Sequence, residues 1–112
     1  MVDRGELESK LAAIKRDYVA ELPARATNLR SAWILTQSED WAQSPLRELH
    51  RLVHNLAGSG ATFGFADLGV RAHTLELPLM ALLEDPSADR SALPELFEAL
   101  MTALAAAAKQ NA

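Results

Sequence analysis

The segment from His54 to Gly64 places a histidine in the middle of an amphipathic helical pattern and follows it with glycines and other small residues. A helix interior normally avoids glycine, because each one costs roughly 1 kcal/mol relative to alanine. Gly58 lies at i+4 from His54, on the same face of the helix, and Ala57 and Ala61 flank that face. The imidazole therefore stands among small side chains, where another macromolecule can approach closely. This arrangement suits a histidine that reacts with a partner protein.

His54 follows Val53 and so lies at the border of the apolar stripe rather than inside it. A nucleophilic histidine needs such a position, with one ring edge buried and the other in water. One ring nitrogen then donates its proton to a fixed acceptor, which selects the tautomer, and the other attacks from the exposed side. His50 at i−4 and Arg51 at i−3 are within side-chain reach. For His50 we favour a structural role, with tuning of the local field as the alternative.

The first helical segment carries apolar residues at three- or four-residue steps, namely Leu7, Leu11, Ile14, Tyr18, Leu22, Leu29 and Trp33. Pro23 interrupts this pattern, so we expect an N-terminal helix that is broken or kinked near Pro23. The polar group at residues 37–40 ends the segment.

Three further helices are predicted. The second begins with Ser44 as its N-cap and Pro45 at the first helical position, where the missing N–H costs nothing, and it fades around residues 63–64. The third spans roughly residues 65–83 and bends at Pro78, and the fourth begins near residues 91–94. No segment alternates as a strand does. The sequence therefore predicts an all-α fold, an antiparallel four-helix bundle that forms a single domain over residues 1–112.

The composition excludes several classes of protein. The 112 residues include 15 acidic and 11 basic side chains, a net charge of −4, and no cysteine. The acidic balance argues against nucleic-acid binding, which needs a basic surface. No apolar run approaches the ~20 residues of a membrane span, and the charged N-terminus is not a secretory signal. We therefore expect a cytoplasmic protein that binds neither nucleic acid nor membrane, and the lack of cysteine is in keeping with that compartment.

A family resemblance rests on residues at fixed distances from the histidine. The run His54-Asn55-Leu56-Ala57-Gly58 is followed by Gly64 at ten residues, Leu68 at fourteen, and the pair Leu75-Glu76. This pattern resembles the histidine-containing phosphotransfer (HPt) domain family, whose core reads His-x-Leu-Lys-Gly with Gly, Leu and Leu-Glu at these offsets. The match covers about residues 45–77 directly, and the flanking helices agree in number and length.

The resemblance implies a four-helix bundle that acts as a phosphorelay intermediate. His54 matches the phosphoacceptor, which takes a phosphoryl group from a sensor histidine kinase or an aspartyl phosphate and passes it to a response-regulator receiver domain. Glu76 matches the residue that accepts a hydrogen bond from the active histidine in the chemotaxis-kinase branch, and His73 matches a histidine of that branch. Such a glutamate would hold the Nδ1–H of His54 and leave Nε2 to attack. The resemblance implies no cofactor of the chain's own, since the Mg²⁺ belongs to the receiver.

The sequence departs from the family pattern at Ala57, where the family usually has a lysine that meets the phosphoryl oxygens. His54 is in mid-helix, so no free helix N-terminus replaces that charge. Arg51 is the best local candidate for a phosphate partner and Arg47 the next, with Arg71 as a third. Partner specificity is expected from the surfaces of the second and first helices around His54, with Ala57, Gly58 and Ala61 giving access to the imidazole.

Two other functions are compatible with the sequence. An HPt-like adaptor would bind receivers without transferring phosphate, which the alanine at position 57 keeps open. A metal-binding bundle would use the i, i+4 pair His50 and His54, with His73 or Glu76 as a third ligand. A kinase is not predicted, because no nucleotide-binding segment is found.

Overall fold

The computed structural model describes residues 3–111, which form four α-helices and contain no strand. Helix α1 spans Arg4–Ser38, α2 Gln43–Thr62, α3 Ala66–Glu84 and α4 Leu93–Ala108, and a 3₁₀ turn follows at Lys109–Asn111. In sequence order each helix packs against the next, and α4 closes the ring against α1. Because short connections join consecutive helices, neighbours run antiparallel. The predicted all-α four-helix bundle is confirmed.

The core lies along the bundle axis and is dominated by leucine. Trp33 stacks on Phe97 across the α1–α4 contact, with ring centroids 4.4 Å apart. The largest fully buried side chains are Phe97, Leu22, Leu29, Leu46, Leu49, Leu56, Leu68, Leu75, Leu79, Leu82, Leu93 and Leu100. Burial of each such side chain contributes roughly 1.5–3 kcal/mol, and together these contributions hold the helices against one another. Within residues 3–111, none of the helices combines the length and the apolar character that a membrane span requires.

Helix α1 continues through Pro23. The predicted break near this residue is therefore wrong, whereas a bend of the helix axis there stays a prediction. Proline removes one intrahelical hydrogen bond. Leu22 and Leu29, on either side of it, are completely buried against the bundle. Their packing keeps the chain helical across the proline.

The apolar stripe of α1 extends beyond the bundle. The first buried residue of the helix is Tyr18, and Leu7, Leu11 and Ile14 are 48%, 56% and 49% exposed. At 1.5 Å per residue this 35-residue helix is about 52 Å long. The other three helices have 16–20 residues each. The periodicity correctly gives the face of these residues but not their burial, because no neighbouring helix reaches them.

Helix α2 begins at Gln43 with Ala42 as its N-cap, two residues earlier than expected. The prediction of Ser44 as the cap is wrong. Pro45 lies at the third helical position. A backbone N–H at this position would have no intrahelical partner, so a proline, which lacks the N–H, is tolerated there. The first backbone hydrogen bond joins the Leu46 N–H to the Ala42 carbonyl at 3.2 Å.

A glycine turn folds α3 back along α2. Gly64 has φ +85°, a left-handed conformation that glycine adopts without steric cost. The N–H of Gly64 donates to the Ala61 carbonyl, and the N–H of Phe65 donates to the Gly60 carbonyl at 2.8 Å. This pair of bonds is the Schellman pattern of a helix C-terminus. The turn therefore sets the direction in which α3 leaves α2.

Two glycines, Gly60 of α2 and Gly69 of α3, let these helices approach each other closely. A Cβ on Gly60 would lie 3.0 Å from the backbone nitrogen of Gly69, and a Cβ on Gly69 would lie 3.1 Å from the nitrogen of Ala61. Nothing lies within 4 Å of a Cβ placed on Gly58. The two glycines of α2 thus have different surroundings: Gly60 lies in the contact with α3, and Gly58 faces open space.

Candidate functional site

His54 and Glu76 face each other across the α2–α3 contact. The Glu76 side chain is 8% exposed, whereas the His54 side chain is 66% exposed. Nδ1 of His54 and Oε2 of Glu76 are hydrogen-bonded. The imidazole is thus held at Nδ1 by a buried carboxylate while most of its surface is in solvent.

The charge of Glu76 determines the tautomer of His54. Burial raises the pKa of Glu76, but the hydrogen bond and charge of His54, with smaller contributions from His50 and His73, outweigh it and bring the pKa below its ordinary value. The carboxylate is therefore ionised at neutral pH and only accepts hydrogen bonds. Nδ1 of His54 therefore carries a proton, and in the neutral imidazole the lone pair lies on Nε2.

Two further histidines surround the same carboxylate. Nε2 of His50 lies 3.3 Å from Oε2 of Glu76, and Nδ1 of His73 lies 3.6 Å from Oε1. The His50 ring stacks on the His54 ring, with centroids 5.9 Å apart. Nε2 of His50 is buried without a geometrically satisfied hydrogen bond. A lone pair on this nitrogen would face a carboxylate oxygen at 3.3 Å, so Nε2–H is the tautomer that the contact favours.

An open groove of about 850 Å³ runs beside His54 between α2 and α3. Its α2 wall consists of the small residues Ala57, Gly58 and Ala61. Its α3 wall carries apolar side chains of which Val70, Leu77 and Met80 are largely exposed, together with His73 and Thr74. The groove is formed by α2 and α3, so the expected contribution of the first helix to this surface is not found here.

The Hpt domain family matches residues 13–110 of the chain. The chain belongs to the Hpt domain family. Comparison with curated proteins and with solved structures found no match. Hpt domains carry out histidine phosphotransfer in phosphorelay signalling, and their partners are other proteins of two-component phosphorelays. Histidine phosphotransfer in a phosphorelay is therefore the function of this chain.

Two of the three candidate arginines lie near the imidazole of this Hpt domain. A second hollow of about 520 Å³ on the other side of His54 is lined by Arg47 and Arg51. Arg51 is bound through two nitrogens to Glu48, at 2.9 and 2.5 Å. Its guanidinium is thus already paired with an acidic side chain of α2. Among the residues that the structure describes, the hydrogen-bond partner of Arg47 is uncharged, namely the Gln43 side-chain oxygen at 3.4 Å.

Arg71 lies apart from the two arginines on α2. It pairs with Asp67 at 3.4 Å and lines a depression between α3 and α4 that does not include His54. Of the three cations considered from the sequence, the structure therefore brings Arg47 and Arg51 to the hollow beside His54 and leaves Arg71 outside it.

Sequence reasoning missed two features of the Hpt site. The first is the contact of His50 with Glu76. It could have been predicted, because His50 lies one helical turn before His54 and Glu76 was already identified as the partner of His54. The second is the apolar α3 wall. Val70 and Leu77 are seven residues apart, on a face that Leu68, Leu75 and the rest of the core stripe do not use. This second apolar periodicity in α3 is the signal that could have revealed the wall.

The histidines do not form a metal centre with their acidic neighbour. Across residues 3–111, no group of three or more histidine, cysteine, aspartate or glutamate side chains has an arrangement that could hold a metal ion. In the Hpt domain His50, His54 and His73 are instead directed at the oxygens of the Glu76 carboxylate. The metal-binding alternative gains no support from the geometry.

Proposed function

We propose that His54 is the phosphoacceptor of this phosphorelay protein and that Glu76 holds it in the reactive tautomer. The observation that carries the proposal is the hydrogen bond between the exposed imidazole and the buried carboxylate. In the neutral ring this bond places the lone pair on Nε2, and the imidazole is mostly in solvent, where a protein-bound phosphoryl group can reach it. Nucleophilic attack requires both the free lone pair and the access.

The transfer step follows from this arrangement. Nε2 of His54 attacks the phosphorus of an aspartyl phosphate on a receiver domain, a new N–P bond forms, and the P–O bond to the aspartate breaks and releases its carboxylate. The imidazole becomes a phosphorylated cation, with the proton still on Nδ1. The carboxylate of Glu76 stabilises that cation through a charge-assisted hydrogen bond. Transfer to a second receiver reverses the same step: the N–P bond breaks, a P–O bond forms on the second aspartate, and Nε2 regains its lone pair.

The other two histidines are less suited to the reaction. His50 is largely buried. Its Nε2 atom is buried and faces a carboxylate oxygen of Glu76, so it is not available for attack on a phosphoryl group. His73 is exposed but lies 3.6 Å from the carboxylate and has no hydrogen bond that selects its tautomer. We assign both to the surroundings of Glu76, where they favour its ionised form.

The α2–α3 groove is the proposed docking surface for the receiver domain. Its small α2 side chains let the partner backbone approach His54, and Val70, Leu77 and Met80 offer exposed apolar area. An interface with a modest apolar centre and a polar rim suits an encounter that must be released after each transfer. The Mg²⁺ used in transfer belongs to the acidic pocket of the receiver, as the resemblance implies.

Ala57 leaves the phosphorylated histidine without the lysine typical of the family. Arg51 is the nearest candidate in sequence, but to serve it must exchange Glu48 for the phosphoryl oxygens. Arg47 lines the same hollow and has no anionic partner among the residues described. We therefore place Arg47 ahead of Arg51 as the chain's own cation, with the remaining charge supplied by the receiver.

NMR of the phosphorylated protein tests the proposal directly. Uniformly ¹⁵N-labelled protein is phosphorylated by a phosphorylated receiver domain, and ¹⁵N and ³¹P spectra identify the bonded nitrogen. The proposal expects one phosphorylated imidazole, that of His54, with phosphorus on Nε2 and the proton on Nδ1. Phosphorus on His50 or His73, or on Nδ1 of His54, would contradict it. Receiver binding without any phosphohistidine signal would favour the adaptor function.

A further inference from the structure

The N-terminal part of α1 is an apolar helix face without a neighbour in the bundle. We define the overhang as residues 4–17, which precede Tyr18, the first buried residue of the helix. Its apolar face consists of Leu7, Leu11 and Ile14, each about half exposed. This face is continuous with the apolar stripe of α1 that includes the buried residues Tyr18 and Leu22. At 1.5 Å per residue the overhang extends about 21 Å.

The spacing on this face is that of a coiled coil. Leu7, Leu11 and Ile14 follow one another at steps of four and three residues, the alternation that forms a seam between two helices. The positions that flank the seam are charged. Glu8 and Lys15 lie on one flank, and Lys10 and Asp17 on the other. In coiled coils such flanking charges determine the partner and its direction.

We propose that the overhang pairs with the overhang of a second copy of this chain, antiparallel, to form a homodimer. A two-fold axis perpendicular to the helices brings the same flank of each seam together. Glu8 of one copy then lies beside Lys15 of the second copy, and Lys10 lies beside Asp17, each contact occurring twice. In the seam Leu11 packs against Ile14 of the second copy. Four attractive charge contacts therefore accompany the apolar contacts between Leu11 and Ile14 in the seam.

The same charges exclude the parallel arrangement. In a parallel pair, each residue on the second flank lies near the first-flank residue five positions further along the other helix. Asp3 then meets Glu8 of the second copy, and Lys10 meets Lys15. Every one of these contacts joins like charges, which is destabilising. The charge pattern therefore selects a second copy in the antiparallel direction.

The competing contacts within one copy are weak. Lys10 lies 3.5 Å from Glu6 on the same helix, with both side chains well exposed. Lys15 lies over the Phe65 ring, with Nζ 5.0 Å from the ring centroid. Exposed contacts of this kind contribute little to stability and are readily exchanged for others. Neither one covers Leu7, Leu11 or Ile14.

Sedimentation of the full chain from micromolar to submillimolar concentration tests the dimer. We expect a reversible monomer–dimer equilibrium in wild type, its loss in the double variant Leu11→Glu/Ile14→Glu, and its retention in Ile34→Glu. Ile34 is a matched control, because it is an equally exposed apolar residue on the same helix outside the overhang. A monomer at every concentration, or a dimer that survives the double variant, overturns the proposal. Circular dichroism checks that each variant remains helical.

A charge reversal tests the direction of the helices. Lys15→Glu creates like-charge contacts in the antiparallel pair, so it should weaken dimerisation on the order of tenfold, and the double variant Glu8→Lys/Lys15→Glu should restore it. Arg16→Glu, on the opposite face, is the control for the change in net charge. A parallel dimer would instead be strengthened by Lys15→Glu, and that result would overturn the antiparallel arrangement. Phosphotransfer by the variants reports on the site separately.

Discussion

Glu76 on α3 holds Nδ1 of His54 on α2, although 22 residues separate them along the chain. One member of this pair is buried and the other is exposed. The buried carboxylate accepts the hydrogen bond from Nδ1, and most of the imidazole surface is in solvent. The α2–α3 packing that creates this relationship therefore links the core of the bundle to the proposed chemistry.

Replacing Glu76 with glutamine tests its charge. In Glu76→Gln the side-chain oxygen can still accept the Nδ1–H, but the negative charge that stabilises the phosphorylated imidazole is gone. A hydrogen bond to a charged group is worth about 1.5–3 kcal/mol. We therefore expect phosphotransfer to His54 to slow by roughly ten- to a hundredfold, measured as the rate of label transfer from a phosphorylated receiver.

His73→Gln is the matched control for that variant. His73 is also exposed and close to Glu76, but it makes no hydrogen bond to the carboxylate within normal distance. Its replacement should change the rate less than Glu76→Gln does. Equal rates for wild type and Glu76→Gln would contradict the assigned role of the carboxylate.

The depressed pKa of Glu76 predicts a loss of stability in acid. The pKa of this group in the folded protein lies below its ordinary value of 4.5. The unfolded chain therefore takes up the proton first as the pH falls. The stabilisation is complete above the unfolded pKa and is lost as the pH falls through the folded pKa. The difference in free energy of unfolding between wild type and Glu76→Gln should shrink progressively below about pH 4.5.

Urea denaturation at a series of pH values measures this difference. Glu48 and Glu98 also have lowered pKa values, since each is hydrogen-bonded to an arginine. Their titration occurs in both proteins and cancels in the comparison. A difference that stays constant from neutral pH down to pH 3 would show that Glu76 titrates as it does in the unfolded chain.

Replacement of Gly58 and of Gly60 by alanine should change the stability of the fold in opposite directions. Gly60→Ala places a Cβ 3.0 Å from the Gly69 nitrogen, which is backbone and cannot turn aside, so α2 and α3 must separate. We expect a loss of about 1–3 kcal/mol in the free energy of unfolding. Gly58→Ala meets nothing within 4 Å and should gain up to about 1 kcal/mol from better helix propensity. Chemical denaturation of both variants measures the contrast, and similar changes would contradict the close helix contact.

The sequence predicted most of the fold because the helix periods are regular and their ends carry strong signals. Gly64 is an example, since only a residue that tolerates positive φ suits the α2–α3 turn. The start of α2 was misjudged, because Pro45 is compatible with any position of a first helical turn. The break at Pro23 was wrong for a related reason. A local signal does not include the burial of Leu22 and Leu29, which keeps α1 continuous.

The site was predictable where it depends on one helix or on the family pattern, and not where it depends on two helices packing. The identity of Glu76 as the partner of His54 came from the resemblance. The position of His50 against that carboxylate depends on the α2–α3 distance, which Gly60 and Gly69 set together. The exposure of Leu7 and Leu11 depends on where the other helices stop. No period within α1 contains that information.

The apolar wall of the groove predicts a variant that separates docking from reactivity. Leu77 is exposed, lines the groove, and makes no part of the core. Leu77→Glu should weaken receiver binding by roughly tenfold or more, since a charge at the centre of an interface is costly. Phosphorylation of His54 by a small phosphoramidate donor should be unchanged. Ile34→Glu is the control, and an equal effect of both variants on receiver binding would contradict the groove as docking surface.

The most direct test of the central claim is label transfer from a phosphorylated receiver domain to purified wild type, His54→Gln, His50→Gln and His73→Gln. We predict an acid-labile, alkali-stable phosphoryl group on wild type and on the His50 and His73 variants, and none on His54→Gln. Retained label on His54→Gln, or its loss only in one of the other two variants, would contradict His54 as the phosphoacceptor.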